Sequence, residues 1–287
     1  MKRRDFIKTT TAAGLGLATL PFASLPLQAA QKRFTAFDKV ALPHTGFKVT
    51  RLATGSGSRG SKGESNQTRI GMPAFETIIR HAYDRGLNFW DMADMYGSHE
   101  YYGKCLKFIP REKVAILTKT INRDAAGVKA DIERFRKEIG TDYIDVLLFH
   151  VLQDGDWPET MKATMDVVSE AREKGIIGTF GCSCHSIEAL QAAVESPWTE
   201  YILARINHAG NRMDGTPDEI AAVLRKGHEK GKFIMGMKIL GMGDLMPEVN
   251  KSLEFVLDQG FINSFTIGFE SAVQLDEIIE KIAEVRV

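Results

Sequence analysis

Residues 86–97 read GLNFWDMADMYG, an apolar run that ends at Asp91 and is followed five positions later by Tyr96. The run comes after an amphipathic helical pattern, so it predicts a short strand leading into a polar turn that ends at Gly97. Loops at strand ends often carry function because a rigid scaffold positions them. The segment therefore predicts a functional site at Asp91 and Tyr96. The structural alternative is that Asp91 caps a helix and Tyr96 lies on the surface.

The next two predicted strands also end in reactive side chains. Val114–Lys119 ends in a lysine, and Tyr143–His150 ends in a histidine. Side chains alternate between the two faces of a strand, so Lys119 shares the face of Leu117, and His150 shares that of Leu148. A lysine that continues an apolar row needs a partner for its charge. We expect that partner to be Asp91.

Strands and helices alternate along the rest of the chain. The predicted strands are 49–54, 87–91, 114–119, 144–150, 176–183, 201–207, 233–240 and 265–269, each followed by a helix, including a single helix over 158–174. Such alternation predicts parallel strands joined by right-handed crossovers, and eight units in roughly 250 residues are typical of a closed (β/α)8 TIM barrel. We therefore predict an α/β barrel domain over residues 31–287 that begins with a short hairpin over 33–49. In that hairpin, strands 34–37 and 40–42 would flank a turn at Asp38 and Lys39.

An open doubly wound sheet is the alternative fold, since glycines follow the first strand at Gly55, Gly57 and Gly60. A dinucleotide-binding glycine motif lies directly between a strand and the N-terminus of its helix. Here a long segment, residues 55–71, separates the two elements, so we predict a flexible loop at the barrel rim.

The first thirty residues differ from the rest. Lys2, Arg3 and Arg4 precede a Thr-, Ala- and Gly-rich apolar run that contains Pro21 and Pro26. This pattern predicts a twin-arginine signal peptide over residues 1–30, with the twin-arginine export machinery as a partner and a periplasmic or exported location. A membrane-spanning helix is the alternative. We expect no stable membrane span after processing, whereas an uncleaved signal would tether the protein.

Composition excludes some classes of function. Lys and Arg total 37 and Asp and Glu total 37, so the formal charge is +0 and nucleic acid is not an expected partner. The three cysteines, Cys105, Cys182 and Cys184, predict no disulfide framework and no zinc site. We assign no residue as a metal ligand.

Together these motifs resemble the aldo-keto reductase family. The resemblance rests on the Asp91–Gly97 segment, on Lys119 after its strand and on His150 at the end of DVLLFH, and it extends to residues 46–52 and 174–183. It implies an oxidoreductase that transfers hydride between NADP or NAD and the carbonyl or alcohol group of an aldehyde, ketone or sugar.

In the roles that the resemblance implies, Tyr96 is the general acid and base. His150 supplies a second hydrogen bond or orients the substrate. Lys119, oriented by Asp91, would lower the pKa of Tyr96, because a neighbouring ammonium favours the phenolate.

The resemblance also implies a set of cofactor-binding residues. Ser183 would bind the nicotinamide carboxamide, and Lys238 stands where the family commonly has a stacking tyrosine. Glu270 stands where members that grip a 2′-phosphate are often basic, so it would repel that phosphate and accept from a ribose hydroxyl instead. The full set is Gly55, Ser56, Ser183, Cys184, Lys238, Glu270, Ser271 and Gln274, with departures from the family pattern at Cys184, Lys238 and Ile278. Trp157 and Asn207 are candidate substrate contacts.

Two other functions remain open at this point. A metal-dependent sugar isomerase or epimerase also uses this barrel, and its ligands would come from Asp91, His150, His185, His208 and Glu270. Alternatively, an exported barrel that binds sugars or a partner without turnover is compatible with the three departures.

Overall fold

Eight parallel strands close into a barrel in this computed structural model, which describes residues 33–286. The strands follow one another around the ring in chain order, and the last pairs with the first. They are β3 (Leu52–Gly55), β4 (Phe89–Asp91), β5 (Ala115–Thr120), β6 (Ile144–Leu152), β7 (Ile177–Cys184), β8 (Tyr201–Arg205), β9 (Phe233–Met237) and β10 (Ser264–Gly268). The predicted (β/α)8 barrel is confirmed, and the open sheet is wrong.

A hairpin precedes the barrel, as predicted, but its strands differ from the predicted ones. β1 (Lys39–Ala41) pairs antiparallel with β2 (Lys48–Thr50), so the turn lies over residues 42–47 and residues 34–37 form no strand. The predicted strand 49–54 is broken at Arg51, whose guanidinium contacts Asp38 at 3.3 Å. Leu42 and Val49 pack into the inner barrel cluster, so the hairpin covers the end of the barrel where the strands begin.

Helices connect the strands and cover the barrel. They are α1 (Asn66–Arg69), α2 (Met72–Asp84), α3 (His99–Cys105), α4 (Ala125–Ile139), α5 (Trp157–Thr160), α6 (Lys162–Glu173), α7 (Ile187–Glu195), α8 (Pro217–Glu229), α9 (Val249–Asp258) and α10 (Ala272–Glu284). The predicted single helix over 158–174 is therefore two helices. Met161, with φ −107 and ψ 20, interrupts the helical backbone between them. Within residues 33–286, no helix is both long and apolar enough to cross a bilayer.

Helix ends follow the capping chemistry of the sequence. The Asp124 side chain accepts from the Gly127 N–H at the start of α4, and Gly140, at φ +75, ends that helix in the left-handed conformation. At α8, Thr216 and Glu219 form a capping box ahead of Pro217, which fits the first helical turn because it needs no N–H donor there.

Two apolar layers form the core, and strand alternation divides them. Phe89, Leu117 and Leu148 point into the barrel, while Trp90, Ile116 and Phe149 point outward against the helices. Each fully buried side chain of this size contributes about 1.5–3 kcal/mol to the free energy of folding. Since the same alternation continues to the strand ends, it decides which polar side chains enter the barrel mouth.

The predicted twin-arginine signal over residues 1–30 lies outside the described residues. The described chain begins at Arg33, which forms an isolated bridge with Arg286.

Candidate active site

Asp91, Lys119 and His150 lie at or near the ends of three neighbouring strands, at the same mouth of the barrel. Asp91 lies beside Leu117 in the strand ladder, and Lys119 lies beside Leu148. Tyr96 follows β4 in a single turn of 3-10 helix over Asp94–Tyr96. The structure thus brings together the four residues that the sequence predicted as catalytic.

Lys119 and Asp91 form an ion pair inside the barrel. Lys119 is 1% exposed and Asp91 is 5% exposed. The Lys119 Nζ donates to Asp91 Oδ1 and, at 2.9 Å, to the carbonyl oxygen of Met92. Burial lowers the pKa of Lys119, and the Asp91 carboxylate opposes that shift. Asp91 is therefore the partner that the sequence predicted for the lysine.

Tyr96 lies between the ion pair and His150. Its hydroxyl is 3.2 Å from His150 Nε2, with the two rings edge to face. The Lys119 Nζ is 5.0 Å from the centroid of the Tyr96 ring. A phenol, an imidazole and an ammonium are therefore close enough to act on one substrate atom.

The electrostatics of Tyr96 differ from the prediction. Burial and then the Asp91 carboxylate raise the pKa of Tyr96, whereas the sequence analysis expected Lys119 to lower it. Of the two charges in the ion pair, the Asp91 carboxylate is the one that shifts the pKa of the phenol, and it favours the neutral form. Tyr96 is held as the neutral acid.

His150 is also neutral. Burial, followed by the charge of Lys119, holds the pKa of His150 well below its usual range. Its Nδ1 is buried without a hydrogen-bond partner among the described residues. The ring therefore interacts through Nε2, the nitrogen that faces Tyr96.

The loop predicted as a flexible rim loop packs on Tyr96 and contains α1. A Cβ on Gly57 would lie 2.4 Å from Tyr96 Cε2, and one on Gly60 would lie 2.3 Å from Tyr96 Cδ1. The Gly63 N–H donates to the Met95 carbonyl at 3.0 Å. Gly97 has φ +63, and a Cβ there would meet the Gly63 oxygen at 1.9 Å. Only glycines allow this close contact between the loop and the 3-10 turn.

An elongated cavity opens beside Tyr96 and continues to the start of α10. Seven residues that the sequence analysis singled out contribute to its wall, namely Gly55, Asp91, Tyr96, Lys238, Glu270, Gln274 and Ile278. Several lining residues were missed, because they lie on loops or on small polar strand positions without periodic signal: Gly57, Ser58, Asn66, Met242, Met246, Thr266 and Glu277.

Features of the cavity region fit a nicotinamide dinucleotide. Gly55 and Gly268 line the wall, and a Cβ on either would collide with Thr266 Oγ1 or Ser58 Oγ. The Thr266 and Ser183 hydroxyls are buried and lack hydrogen-bond partners within residues 33–286. Ser183 follows Thr179 and Gly181 on the inward-facing side of β7. Such hydroxyls can bind a polar ligand that enters from the mouth.

Two of the predicted cofactor residues have structural roles instead. The Ser56 hydroxyl donates to the Asp91 carbonyl at 3.0 Å and contacts Ser98 Oγ at 2.9 Å, so it fixes the end of β4. Cys184 packs in the outer core layer between β7 and the helices, because its position is offset by one from Ser183. The Cys184 side chain does not line the cavity in this structure, and its contact with a cofactor stays a prediction.

The two predicted substrate contacts are buried away from the cavity wall. Trp157 is 2% exposed, donates to the Ala189 carbonyl at 3.3 Å and packs against Phe149. Asn207 is 0% exposed, and its amide donates to the carbonyls of Asn211 and Lys238. Neither side chain lines the cavity in this structure, so the substrate roles of Trp157 and Asn207 stay predictions.

The end of the cavity at α10 is acidic. Glu270 and Glu277 both line it, and Asn66 donates to Glu270 Oε1 at 2.8 Å. Ser271 caps α10 by accepting from the Gln274 N–H, while Gln274 Oε1 accepts from the Glu270 N–H at 2.8 Å. Ser271 and Gln274 thus shape this end through the helix start.

The five ligands of the metal-dependent alternative do not converge. Asp91 pairs with Lys119, Glu270 pairs with Asn66, and His208 contacts Ser252 at 3.0 Å beside α9. A different acidic cluster does exist in the described part of the chain, formed by Asp94, His99 and Glu138. The Arg134 guanidinium fills it with hydrogen bonds to Asp94 and Glu138, so it is an ion-pair network.

Comparisons with known proteins agree with this geometry. A family model described as "Aldo/keto reductase family" matches residues 51–286. The chain is 31% identical to versiconal hemiacetal acetate reductase from Aspergillus parasiticus, over 58% of each chain. It is 24% identical to L-galactose dehydrogenase from Arabidopsis thaliana, over 87% of this chain and 89% of the relative. Matches to the first four curated relatives span 45–58% of their length, about half.

Solved structures show the same fold. An aldo-keto reductase from Bacillus halodurans in its holo form superposes with a TM-score of 0.72 at 17% identity, covering 88% of this chain and 92% of that one. A glycerol dehydrogenase from Gluconobacter oxydans gives 0.69 at 17% identity, over 86% and 91%.

Proposed function

This chain belongs to the aldo/keto reductase family, and from that premise we propose that it transfers hydride between a nicotinamide dinucleotide and a small carbonyl substrate, with Tyr96 as general acid. The observation that carries the proposal is the Tyr96 hydroxyl, 3.2 Å from His150 Nε2 and beside the buried Lys119–Asp91 pair at the cavity.

The reaction divides between the cofactor and the chain. When bound, the nicotinamide supplies the hydride that reduces the carbonyl carbon. The electron pair of the C=O π bond moves to oxygen, and the Tyr96 hydroxyl donates the proton that completes the alcohol. Positioned proton donors of this kind contribute roughly 10²–10⁴ to the rate.

His150 leaves the Tyr96 proton free for the substrate. A neutral imidazole carries one N–H, and a proton on Nδ1 would be a buried donor with no acceptor. A proton on Nε2 instead donates to the Tyr96 oxygen, leaving only an unpaired acceptor at Nδ1, which costs less. In this arrangement the phenol accepts from His150 and donates to the carbonyl oxygen.

Two carboxylates support a dinucleotide without a 2′-phosphate. Glu270 and Glu277 line the α10 end of the cavity, and neither forms an ion pair within residues 33–286. They would repel a phosphate there, whereas a ribose hydroxyl could donate to them. NAD is therefore the form that this surface favours.

The substrate that we propose is a small aldehyde, ketone or sugar. The relatives' names include a hemiacetal acetate reductase and an L-galactose dehydrogenase, which supports this range.

Export by the twin-arginine route, with a periplasmic location, is a second part of the proposal. It rests on Arg3 and Arg4 ahead of the apolar run. Cell fractionation of the Arg3→Lys/Arg4→Lys variant tests it. The variant should stay in the cytoplasm while the parent chain is exported, and equal distribution of the two would contradict export by this route.

A Tyr96→Phe variant tests the chemistry. The affinity for NADH, monitored through the quenching of tryptophan fluorescence, should change less than about threefold, whereas the turnover rate should fall at least 10²-fold. Tyr83→Phe makes the same chemical change on α2, away from the mouth, and should leave turnover intact. Retained turnover in Tyr96→Phe would exclude Tyr96 as proton donor. Binding of nucleotide with no turnover of any carbonyl by the parent chain would favour the non-catalytic alternative.

A further inference from the structure

Lys238 is the one lysine or arginine among the cavity-lining residues of the described chain. It follows β9, is half-buried, and makes no hydrogen bond or ion pair through its ammonium within residues 33–286. Other cations near the mouth have partners. Lys119 is paired with Asp91, Arg205 with Asp214, and Arg212 with Asp244. A half-buried ammonium without a counter-charge is costly unless a ligand supplies one.

The backbone holds Lys238 in place. Its φ is +56, in the left-handed region that non-glycine residues rarely adopt. The Lys238 carbonyl accepts from Asn207 Nδ2 at 3.1 Å and from the Gly241 N–H at 2.9 Å. Asn207, first considered as a substrate contact, thus fixes the segment that carries the lysine. Left-handed backbone at a non-glycine residue is strained, and such outliers concentrate at ligand sites.

The charge of Lys238 extends to the catalytic histidine. Burial, followed by Arg205, lowers the pKa of Lys238 to about 8, and Asp214 opposes that shift. Lys238 is among the charges that depress the pKa of both His150 and His185. Burial and then Arg205 are the larger causes of the shift to about 3 at His185, so that half-buried imidazole is a neutral hydrogen-bonding group. Its ring lies 6.3 Å from the His150 ring.

Lys238 thus lies without a counter-charge on the wall of the cavity that Tyr96 also lines. We propose that Lys238 forms an anion subsite that selects carbonyl substrates carrying an anionic oxygen group, a carboxylate or a phosphate, near the reacting carbonyl. The inference rests on the proposed reductase function and adds the charge of its substrate. The Lys238 ammonium would bind the anion.

Matched substrates test this preference. Succinic semialdehyde and butanal share a four-carbon chain and differ in one carboxylate, while glyceraldehyde 3-phosphate and glyceraldehyde differ in one phosphate. The parent enzyme should favour the anionic member of one pair at least tenfold in kcat/KM, and which pair shows it distinguishes carboxylate from phosphate. In Lys238→Met the ratio should collapse about tenfold or more, mainly through KM. Lys238→Arg should keep most of it.

Controls separate this effect from others. Lys48→Met removes the same charge from the exposed hairpin at the opposite end of the barrel and should leave the ratio unchanged. The proposal is overturned if the parent enzyme shows no anion preference. It is also overturned if Lys238→Met lowers both members of a pair equally together with NADH affinity, since the lysine would then serve the cofactor.

A binding measurement does not depend on turnover. Butyrate and its neutral isostere butyramide, titrated by calorimetry, should bind the parent chain with a preference for butyrate that Lys238→Met abolishes. If that preference exists but no carbonyl is reduced, the subsite stands and the reductase function fails. If reduction occurs and neither butyrate nor phosphate binds in a Lys238-dependent manner, the subsite fails alone.

Discussion

Removing the Asp91 charge with Asp91→Asn should destabilise the fold, because Lys119 would remain buried without its partner. Lys119 is 1% exposed, and apart from Asp91 its ammonium donates to the Met92 carbonyl. Breaking a buried ion pair by removing one member costs about 3–5 kcal/mol. The buried lysine can instead lose its proton. The free energy of deprotonating a normal lysine at pH 7, about 1.36 × (10.4 − 7.0) or about 4.6 kcal/mol, is therefore an upper limit on the destabilisation by the unpaired charge.

That upper limit makes the effect depend on pH. Loss of Asp91 removes the interaction that raises the pKa of Lys119, so the folded-state pKa, already lowered, falls further. The unfolded chain then binds more protons than the folded chain up to the normal lysine pKa, and the stability of Asp91→Asn rises with pH in that range. At pH 9 the upper limit is about 1.9 kcal/mol, so the destabilisation should shrink by about 1.4 kcal/mol per pH unit.

Urea unfolding, followed by tryptophan fluorescence, measures these free energies in a double-mutant cycle. Lys119→Met alone leaves a buried carboxylate and should cost a similar amount. The double variant has neither charge. Its loss of unfolding free energy should therefore be at least about 2 kcal/mol smaller than the sum of the losses in the two single variants. All three variants should lose turnover. Two results would show that Asp91 does not stabilise the charge of Lys119. One is a loss of stability below about 1 kcal/mol for Asp91→Asn that is the same at pH 7 and pH 9. The other is a double variant whose loss of stability equals the sum of the two single losses.

Three other outcomes follow from the site. Because burial and Asp91 raise the pKa of Tyr96, the rate of carbonyl reduction should stay constant up to about pH 10. The rate of alcohol oxidation, which needs the phenolate, should rise about tenfold per pH unit. A plateau of the oxidation rate below pH 9 would show that Lys119 lowers this pKa instead. Gly57→Ala places a Cβ 2.4 Å from the Tyr96 ring and should reduce kcat at least tenfold, with little change in NADH affinity. Gly155→Ala is the control and should leave kcat unchanged, because the atoms nearest to its Cβ belong to Glu188 and are 3.2 Å away or more. Equal effects of the two variants on kcat would show that the loop around Gly57 does not support catalysis. Glu270→Gln removes the repulsion between this carboxylate and a 2′-phosphate, which is worth about 1 kcal/mol per charge pair at 4 Å in water. The affinity for NADPH relative to NADH, measured by fluorescence titration, should therefore rise about fivefold or more. An unchanged ratio would show that Glu270 does not discriminate between the two cofactors.

The barrel and its four central residues could be predicted from sequence because strand alternation and strand ends carry the information. Lys119 and His150 continue the inward rows of Leu117 and Leu148, which requires only the two-residue repeat of a strand. The repeat also separates two neighbouring residues of the predicted cofactor set. Cys184 is one position beyond the inward Ser183, so its side chain points toward the helices.

Other features depend on tertiary contacts that no local pattern shows. One hydrogen bond of Asn207 is to the carbonyl of Lys238, which lies on the next strand connection and is distant in sequence. The raised pKa of Tyr96 follows first from the burial of its hydroxyl and then from the Asp91 carboxylate, and both depend on the tertiary structure. The positions of Asp91 and Lys119 in the sequence do not show how far each charge lies from the phenol. The direction of the pKa shift depends on those distances.

The glycine-lined contact around Tyr96 limits how this protein could be redesigned. Gly57, Gly60 and Gly97 leave no room for a side chain beside the phenol or its turn. A directed-evolution library that randomises these positions would consist mostly of members with a displaced Tyr96, whatever substrate is sought. Met242 and Met246 line the same cavity but belong to the segment after β9. New substrate ranges should therefore be selected from variation at those two methionines.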